Sequence, residues 1–299
     1  MDASSALIQV LNGLAFSMLL FLLAAGLTVI FGLMDFMNLA HGSFYMLGAY
    51  LAWSSVQPRA TRPFGLGINF WLALLLAPLA LFALGYILER FVLGRMYRRG
   101  HLEQVLLTFG LALIAADLVR WAWGADIRSI AAPDELRGAL DLGLFGYPRY
   151  RLFVVVAGLL VALLLWAGQQ RTRIGAIVRA GVDDREMVSG LGIDIDRVSS
   201  LVFAGGAGLA GLAGVIAGPF QSLQPGMDFS TLILSLVVVV VGGLGTLRGS
   251  FFAAVLVGLV DTFGKAIPAI TDFSLLAIYV LMAVVLLARP AGLFGRATA

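Results

Sequence analysis

GLTVIFGLMDFMNLAHGSFYMLGAY, residues 26–50, places Asp35, Asn38 and His41 between two apolar runs. Residues 3–34 ahead of the trio carry no charge, and residues 36–58 carry none apart from any proton on His41. Hydrocarbon offers no hydrogen bonds, so polar groups at membrane depth face a cavity or a protein partner. The trio is spaced by three, roughly along one helical face, with Gly32, Gly42 and Gly48 around it. Two readings compete. One is a short turn whose polar residues cap two helices, with Asp35 or Asn38 suited to an N-cap. The other is a broken or re-entrant helix near residues 33–45 that lines a translocation path. The residues alone favour the turn.

Working outward, the composition sets the class. Of the 299 residues, 61% are hydrophobic and 12% charged, against roughly 45–50% and about 25% in soluble domains. Repeated uncharged runs long enough to cross a bilayer predict an all-α polytopic membrane protein with a single membrane domain over residues 1–299. The opening MDASSALIQ has an acid and no basic n-region, so the first apolar run reads as a span. With no cysteine, disulfides and thiolate sites are excluded. The net charge of +3 reports which loops face the cytoplasm, not a nucleic-acid partner.

A helix needs about 20 residues to cross roughly 30 Å of hydrocarbon. That ruler predicts eight or nine spans, near 12–32, 40–56, 69–89, 104–124, 152–168, 198–219, 231–247, 250–266 and 273–289. The segments 40–56 and 250–266 are short for a full crossing. Arg90, Arg95, Arg98 and Arg99, then Arg171, Arg173 and Arg179, then Arg248, Arg289 and Arg296 all fall on one side. By the positive-inside rule that side and the C-terminus are cytoplasmic. Arg59, Arg62 and a mixed-charge excursion over 125–151 fall outside. Trp53, Trp71, Trp121 and Trp123 gather at that outer interface, where indole rings prefer to sit.

The longest cytoplasmic segment is 170–197. Within it Ile174, Ile177, Val178, Val182, Met187, Val188 and Leu191 recur at helical spacing, and Gly181 and Gly190 divide it into short helices. Such a segment either presents a polar side to a partner or is a solvated connector. FAGGAGLAGLAGVIAGP, residues 203–219, suits close helix packing, and Pro219 ends the helix. GGLGTLRG, residues 242–249, lacks the Gly-Lys-Ser/Thr ending of a phosphate loop. Asp117 with Arg120 and Asp261 with Lys265 have the spacing of local helical pairs. His41 and His101 stand alone, without a metal or nucleophile motif, so no enzyme is expected.

The stretch around Asn38-Leu39-Ala40-His41-Gly42 resembles the signature of the LivH/LivM family, the permeases of branched-chain amino acid ABC importers. RAGVDDREMVSGLGIDIDRVSSLVFAGGAGLAGLAGVI, VVGGLGTLRGSFFAAVLVG and ARPAGLFG resemble further blocks of that family in the expected order. The first block is closer to LivH than to LivM. The resemblance implies one half of a permease heterodimer in the bacterial inner membrane. It also implies a LivM-like second permease, two cytoplasmic ATPase subunits holding ATP and Mg, and a periplasmic solute-binding protein. This chain itself would hold no cofactor. Asn38, His41, Gly42, Ser43 and Tyr45 are then expected at the substrate path, in a broken corner that Gly42 permits. Residues 170–197 become the coupling segment, with Ala180, Gly181, Asp183, Asp184, Glu186, Gly190 and Gly192 toward the ATPase. The 125–151 excursion becomes periplasmic. Related permeases serve urea, short amides or aromatic acids, and the rival class is a secondary transporter or channel without an ATPase.

Overall fold

Length and burial divide the helices of the computed structural model into a core and a shell. It describes residues 3–35, 37–57, 67–97, 99–141, 143, 145–268 and 271–295. Arg59, Arg62, Arg98 and Arg296, used above for orientation, lie outside them. The order is α1 (Ala3–Met34), α2 (His41–Val56), α3 (Phe70–Phe91), α4 (His101–Trp123), a hairpin of β1 (Ala139–Asp141) and β2 (Gly146–Pro148), and α5 (Arg149–Arg171). There follow α6 (Arg173–Asp183), α7 (Arg185–Gly190), α8 (Ile195–Ala217), α9 (Met227–Gly242), α10 (Leu247–Ala266) and α11 (Ser274–Ala288).

Among the described residues, seven helices are long and apolar enough to cross a membrane: α1, α3, α4, α5, α8, α10 and α11, the last counted with the 3-10 turn Thr271–Phe273 that leads into it as an 18-residue span. Helices α2 and α9 have 16 residues each, about 24 Å, which is short of the roughly 30 Å of hydrocarbon. The chain is an all-α polytopic membrane protein. One expectation changes: 250–266 is not a short span, because α10 runs for 20 residues. The short element is α9, stopped by Gly243 at φ +100°.

The core is α1 and α8, whose most apolar windows are 78% and 72% buried; in α5 and α11 the figure is 11%. Water cannot account for the bare leucines of α5 and α11, such as Leu163, Leu164, Leu276 and Leu287, so these faces meet lipid or another subunit. Small residues let the core close. A Cβ on Gly26 of α1 would lie 2.8 Å from the Gly206 carbonyl of α8, so the two backbones touch.

The described residues of the 125–151 excursion fold back onto the bundle. The Tyr150 hydroxyl donates to the Ile216 carbonyl at 2.7 Å, and the Tyr147 hydroxyl to Asn12 Oδ1 at 3.1 Å. Arg128 and Leu223 exchange backbone hydrogen bonds of 2.8 Å each, and the Arg128 guanidinium lies 4.9 Å over the Trp53 ring. Burial pushes the Tyr147 phenol up, which keeps it a donor. The two local ion pairs are present, Asp117–Arg120 at 3.5 Å and Asp261–Lys265 at 2.7 Å.

Candidate translocation site

Helix α1 supplies a depth ruler. Asn12, bound by Tyr147 and Arg151 of the hairpin face, and Met34, the last residue of α1, each stand eleven positions from Leu23. At 1.5 Å per residue that is about 16 Å to either level, so Leu23 sits midway between them. His41 Nε2 lies 3.1 Å from the Leu23 carbonyl oxygen. A carbonyl only accepts, so Nε2 carries the proton and donates, and Nδ1 of the neutral ring is left as an acceptor. Helix α2 therefore starts inside the bundle, midway between those levels. Asp35 and residues 37–40 belong to the stretch that leads back into it.

Asp35 makes the break. Its φ of +50° is the one positive value outside glycine among the described residues, and a short polar side chain tolerates that region. Its N–H closes the last turn on the Phe31 carbonyl at 2.8 Å. Neither Asp35 nor Asn38 is the N-cap of α2; Ala40 holds that position without a side-chain bond. Asn38 acts one step earlier, where its Oδ1 accepts the Ala40 N–H at 3.0 Å. Thr108 of α4 accepts the Leu39 N–H at 3.2 Å.

Gly42 does not permit the break, since it lies inside α2 without a positive φ. Its value is contact. A Cβ there would sit 2.6 Å from the Asp228 carbonyl oxygen, so Gly42 lets α9 approach α2. Next to it, Ser43 Oγ donates to Asp228 Oδ2 at 3.1 Å. Asp228 lies in the first turn of α9. The two short helices thus meet by their N-terminal ends inside the bundle and run apart. Helix α2 reaches Trp53 beside Arg128 at the hairpin face. Helix α9 reaches Gly242, whose carbonyl accepts the Phe294 N–H at 3.1 Å. One turn along α2, the Tyr45 hydroxyl accepts from Gln221 Nε2 at 2.6 Å.

Of the residues expected at the path, Asn38, His41, Gly42 and Ser43 come together, and Tyr45 follows one turn on. Asn38, His41 and Tyr45 are fully buried, and Ser43 nearly so. Asp228 and Gln221 were missed by the sequence reasoning. Their signal is QPGMDFS, residues 224–230, a Pro-Gly turn with an acid in the helix turn after it. Asn38 Nδ2, His41 Nδ1 and Asp228 Oδ1 have no hydrogen-bond partner among the described residues. A crevice of about 850 Å³ opens elsewhere, between α5, α6 and α10, with Trp166, Arg179, Arg248 and Phe251 in its walls.

The segment 173–192 packs differently from its pattern. It divides at Asp184, which has extended backbone and accepts the Met187 N–H at 2.9 Å as the cap of α7; Gly181 lies within α6. Val178 and Val188 point inward, whereas Ile174, Val182, Met187 and Leu191 are exposed. Ala180, Asp183, Asp184, Glu186, Gly190 and Gly192 are exposed too. Gly181 is buried, and a Cβ on it would lie 2.7 Å from Leu33 Cδ1 at the end of α1. Arg185 pairs with Asp196 at 3.1 Å and lies 5.4 Å over the Tyr97 ring. Tyr97 donates to Glu89 Oε1 at 2.5 Å and lies 4.0 Å from the sulfur of Met34. Burial, and then Glu89, push the Tyr97 phenol up, so it stays protonated as the donor.

A profile of the family described as branched-chain amino acid transport system, permease component, matches residues 9–286. The chain belongs to that family. Relatives of this permease include the high-affinity branched-chain amino acid transport system permease protein BraD of Pseudomonas aeruginosa, 28% identical over 96% of this chain and 95% of its own length. LivH of Escherichia coli K12 is 26% identical over the same shares. LivM of that strain is 27% identical over 93% of this chain but 68% of its own length. The permease is therefore of the LivH type. It is a multi-pass transport subunit of a membrane.

Proposed function

We propose that this permease is the LivH-type half of the membrane path in an ATP-driven importer of branched-chain amino acids. The family match over residues 9–286, with relatives so named, carries this reading. A LivM-like permease forms the other half. Two ATPase subunits bind ATP and Mg, and a solute-binding protein captures the amino acid. The bilayer is the bacterial inner membrane. The α6–α7 face and the C-terminus are cytoplasmic, and the 125–151 face is periplasmic, where the binding protein docks.

Residues 170–197 are the coupling segment. Its exposed Val182, Met187 and Leu191 beside Asp183, Asp184 and Glu186 suit a socket on an ATPase. ATP binding moves α6 and α7. Two contacts carry the motion to the end of α1, Gly181 on Leu33 and Arg185 through Tyr97 to Met34. One residue further lies the strained corner at Asp35. Its shift lets the starts of α2 and α9 part, so that Asn38, His41, Gly42, Ser43 and Tyr45 border or brace an open path. Hydrolysis restores the closed bundle. Capture affinity resides in the binding protein, so the path needs only weak, transient contacts.

The test is uptake in proteoliposomes holding both permeases, both ATPases and the binding protein. Labelled leucine is expected to enter only with ATP. Uptake by this chain alone without ATP would establish the secondary-transporter class instead, and uptake of urea, short amides or aromatic acids in place of leucine would change the cargo. Asp184→Ala removes a helix cap worth about 1 kcal/mol and is expected to lower substrate-stimulated ATP hydrolysis; unchanged coupling would reject the role given to α6 and α7.

A further inference from the structure

Three nearly buried acids lie in or beside the bundle. Asp261 pairs with Lys265 at 2.7 Å, and Glu89 accepts the Tyr97 hydroxyl at 2.5 Å. Asp228, 2% exposed, shares with Glu89 the lack of an ion pair among the described residues and one carboxylate oxygen without a partner, but it differs in lying between two helix starts, with its side-chain bond from Ser43 and the backbone N–H groups of Asp228 and Phe229 beside it. A carboxylate in a membrane interior is costly unless something compensates its charge. The positive ends of α2 and α9 do so in part. Oδ1 remains empty-handed.

We infer that Asp228 is the group that meets the α-ammonium of an amino acid in transit. Asp228 Oδ1 is an unused acceptor, which suits a donor of an ammonium; His41, on the same end of α2, turns its ring to Leu23 and Gly26 of α1 instead. Asn38 Nδ2 is a donor, and with the N-terminal end of α2 it suits a carboxylate. Leu232, which meets α2 at Gly42 together with Asp228, supplies apolar surface for an aliphatic side chain. The cluster is closed in this conformation, so the zwitterion reaches it only when α2 and α9 part. This rests on the transport reading above and adds which charge of the cargo meets which residue.

A purely structural role, an acid favouring the first turn of α9, would be filled as well by asparagine, which is nearly the same shape and also suits helix starts. Asp228→Asn therefore separates the two. The assembled transporter with its ATPases and binding protein is placed in proteoliposomes, and leucine uptake and binding-protein-stimulated ATP hydrolysis are measured together. Loss of a hydrogen bond to a charged group predicts uptake lower by about tenfold or more, with ATP hydrolysis within about twofold of wild type. Uptake at the wild-type rate, or a parallel fall in uptake and hydrolysis, overturns the inference. Should Asp228→Asn fail to assemble, Ser43→Ala is read the same way. Its leucine delivered per ATP is expected to fall about threefold, as for loss of a weaker neutral donor, and an unchanged ratio overturns the inference. A wild-type complex that moves only solutes without an amine sinks the transport reading and this inference together. Wild-type leucine uptake matched by Asp228→Asn sinks the inference alone.

Discussion

Helices α2 and α9 have the same length and start at the same depth, but they are held there differently. The chain enters α2 over Asp35, a residue with a side chain forced to φ +50°, and enters α9 over Pro225 and Gly226, where φ +95° costs nothing to a glycine. The start of α2 is tied to three other helices, through Leu23 of α1, Thr108 of α4 and Asp228 of α9. The turn into α9 is closed locally, with the Met227 N–H on the Gln224 carbonyl at 3.1 Å. One half-helix is placed by tertiary contacts against a strained corner. The other is placed by turn chemistry. A part that must move on a signal fits the first construction, since its position can be shifted by moving its neighbours.

The strongest way to break this comparison is Gly42→Val. The added carbon meets the Asp228 carbonyl, a backbone atom that cannot swing aside, so α2 and α9 must separate. Overpacking of this kind costs about 1–3 kcal/mol or more, and leucine uptake is expected to vanish with a lowered melting temperature of the complex. His41→Ala comes next. It removes the donor to Leu23 and leaves a void, for a cost of about 1–3 kcal/mol and a large fall in uptake; undiminished uptake would remove His41 from the path. Gly226→Ala forces a side chain into left-handed backbone at about 1–2 kcal/mol. It should lower the melting temperature while sparing the leucine delivered per ATP, because it acts on the turn into α9 and not on the corner. Asp35→Gly is the smallest. Relief of the corner and added freedom of the unfolded chain offset each other to within about 0.5 kcal/mol, so stability should hold. The informative readout is ATP hydrolysis without substrate, expected to rise as the corner slackens.

The long spans were readable because apolar runs of the right length leave few alternatives to crossing. The re-entry into α2 was readable for a related reason: Asp35, Asn38 and His41 interrupt such a run, and hydrocarbon forces a structural answer to that. The residues alone still leaned to a turn with caps, since spacing does not report depth; the Leu23 contact does. Helix α9 was taken for a full span because LILSLVVVVVG stays apolar throughout, and nothing in that run says where the helix begins relative to the membrane. Asp228, after Pro225-Gly226, falls between the predicted spans 198–219 and 231–247 and was passed over. Its burial comes from Ser43, 185 positions earlier. In the 173–192 segment the helical spacing was plain, but spacing cannot say which apolar residues pack inward, and the structure splits them between Val178 and Val188 inside and Met187 and Leu191 outside.

The buried joint between α2 and α9 also bears on what the membrane can hold. A bacterial membrane stores energy as voltage, worth about 2.3 kcal/mol per elementary charge for each 100 mV. A polar seam through it is a hazard, because protons and small cations could use it to discharge that store. Asn38, His41 and Tyr45 are shielded from both faces, and two positive helix ends face each other at the centre. In the closed bundle the seam keeps its polar groups buried, and the Asp228 carboxylate sets off the two positive helix ends at its centre.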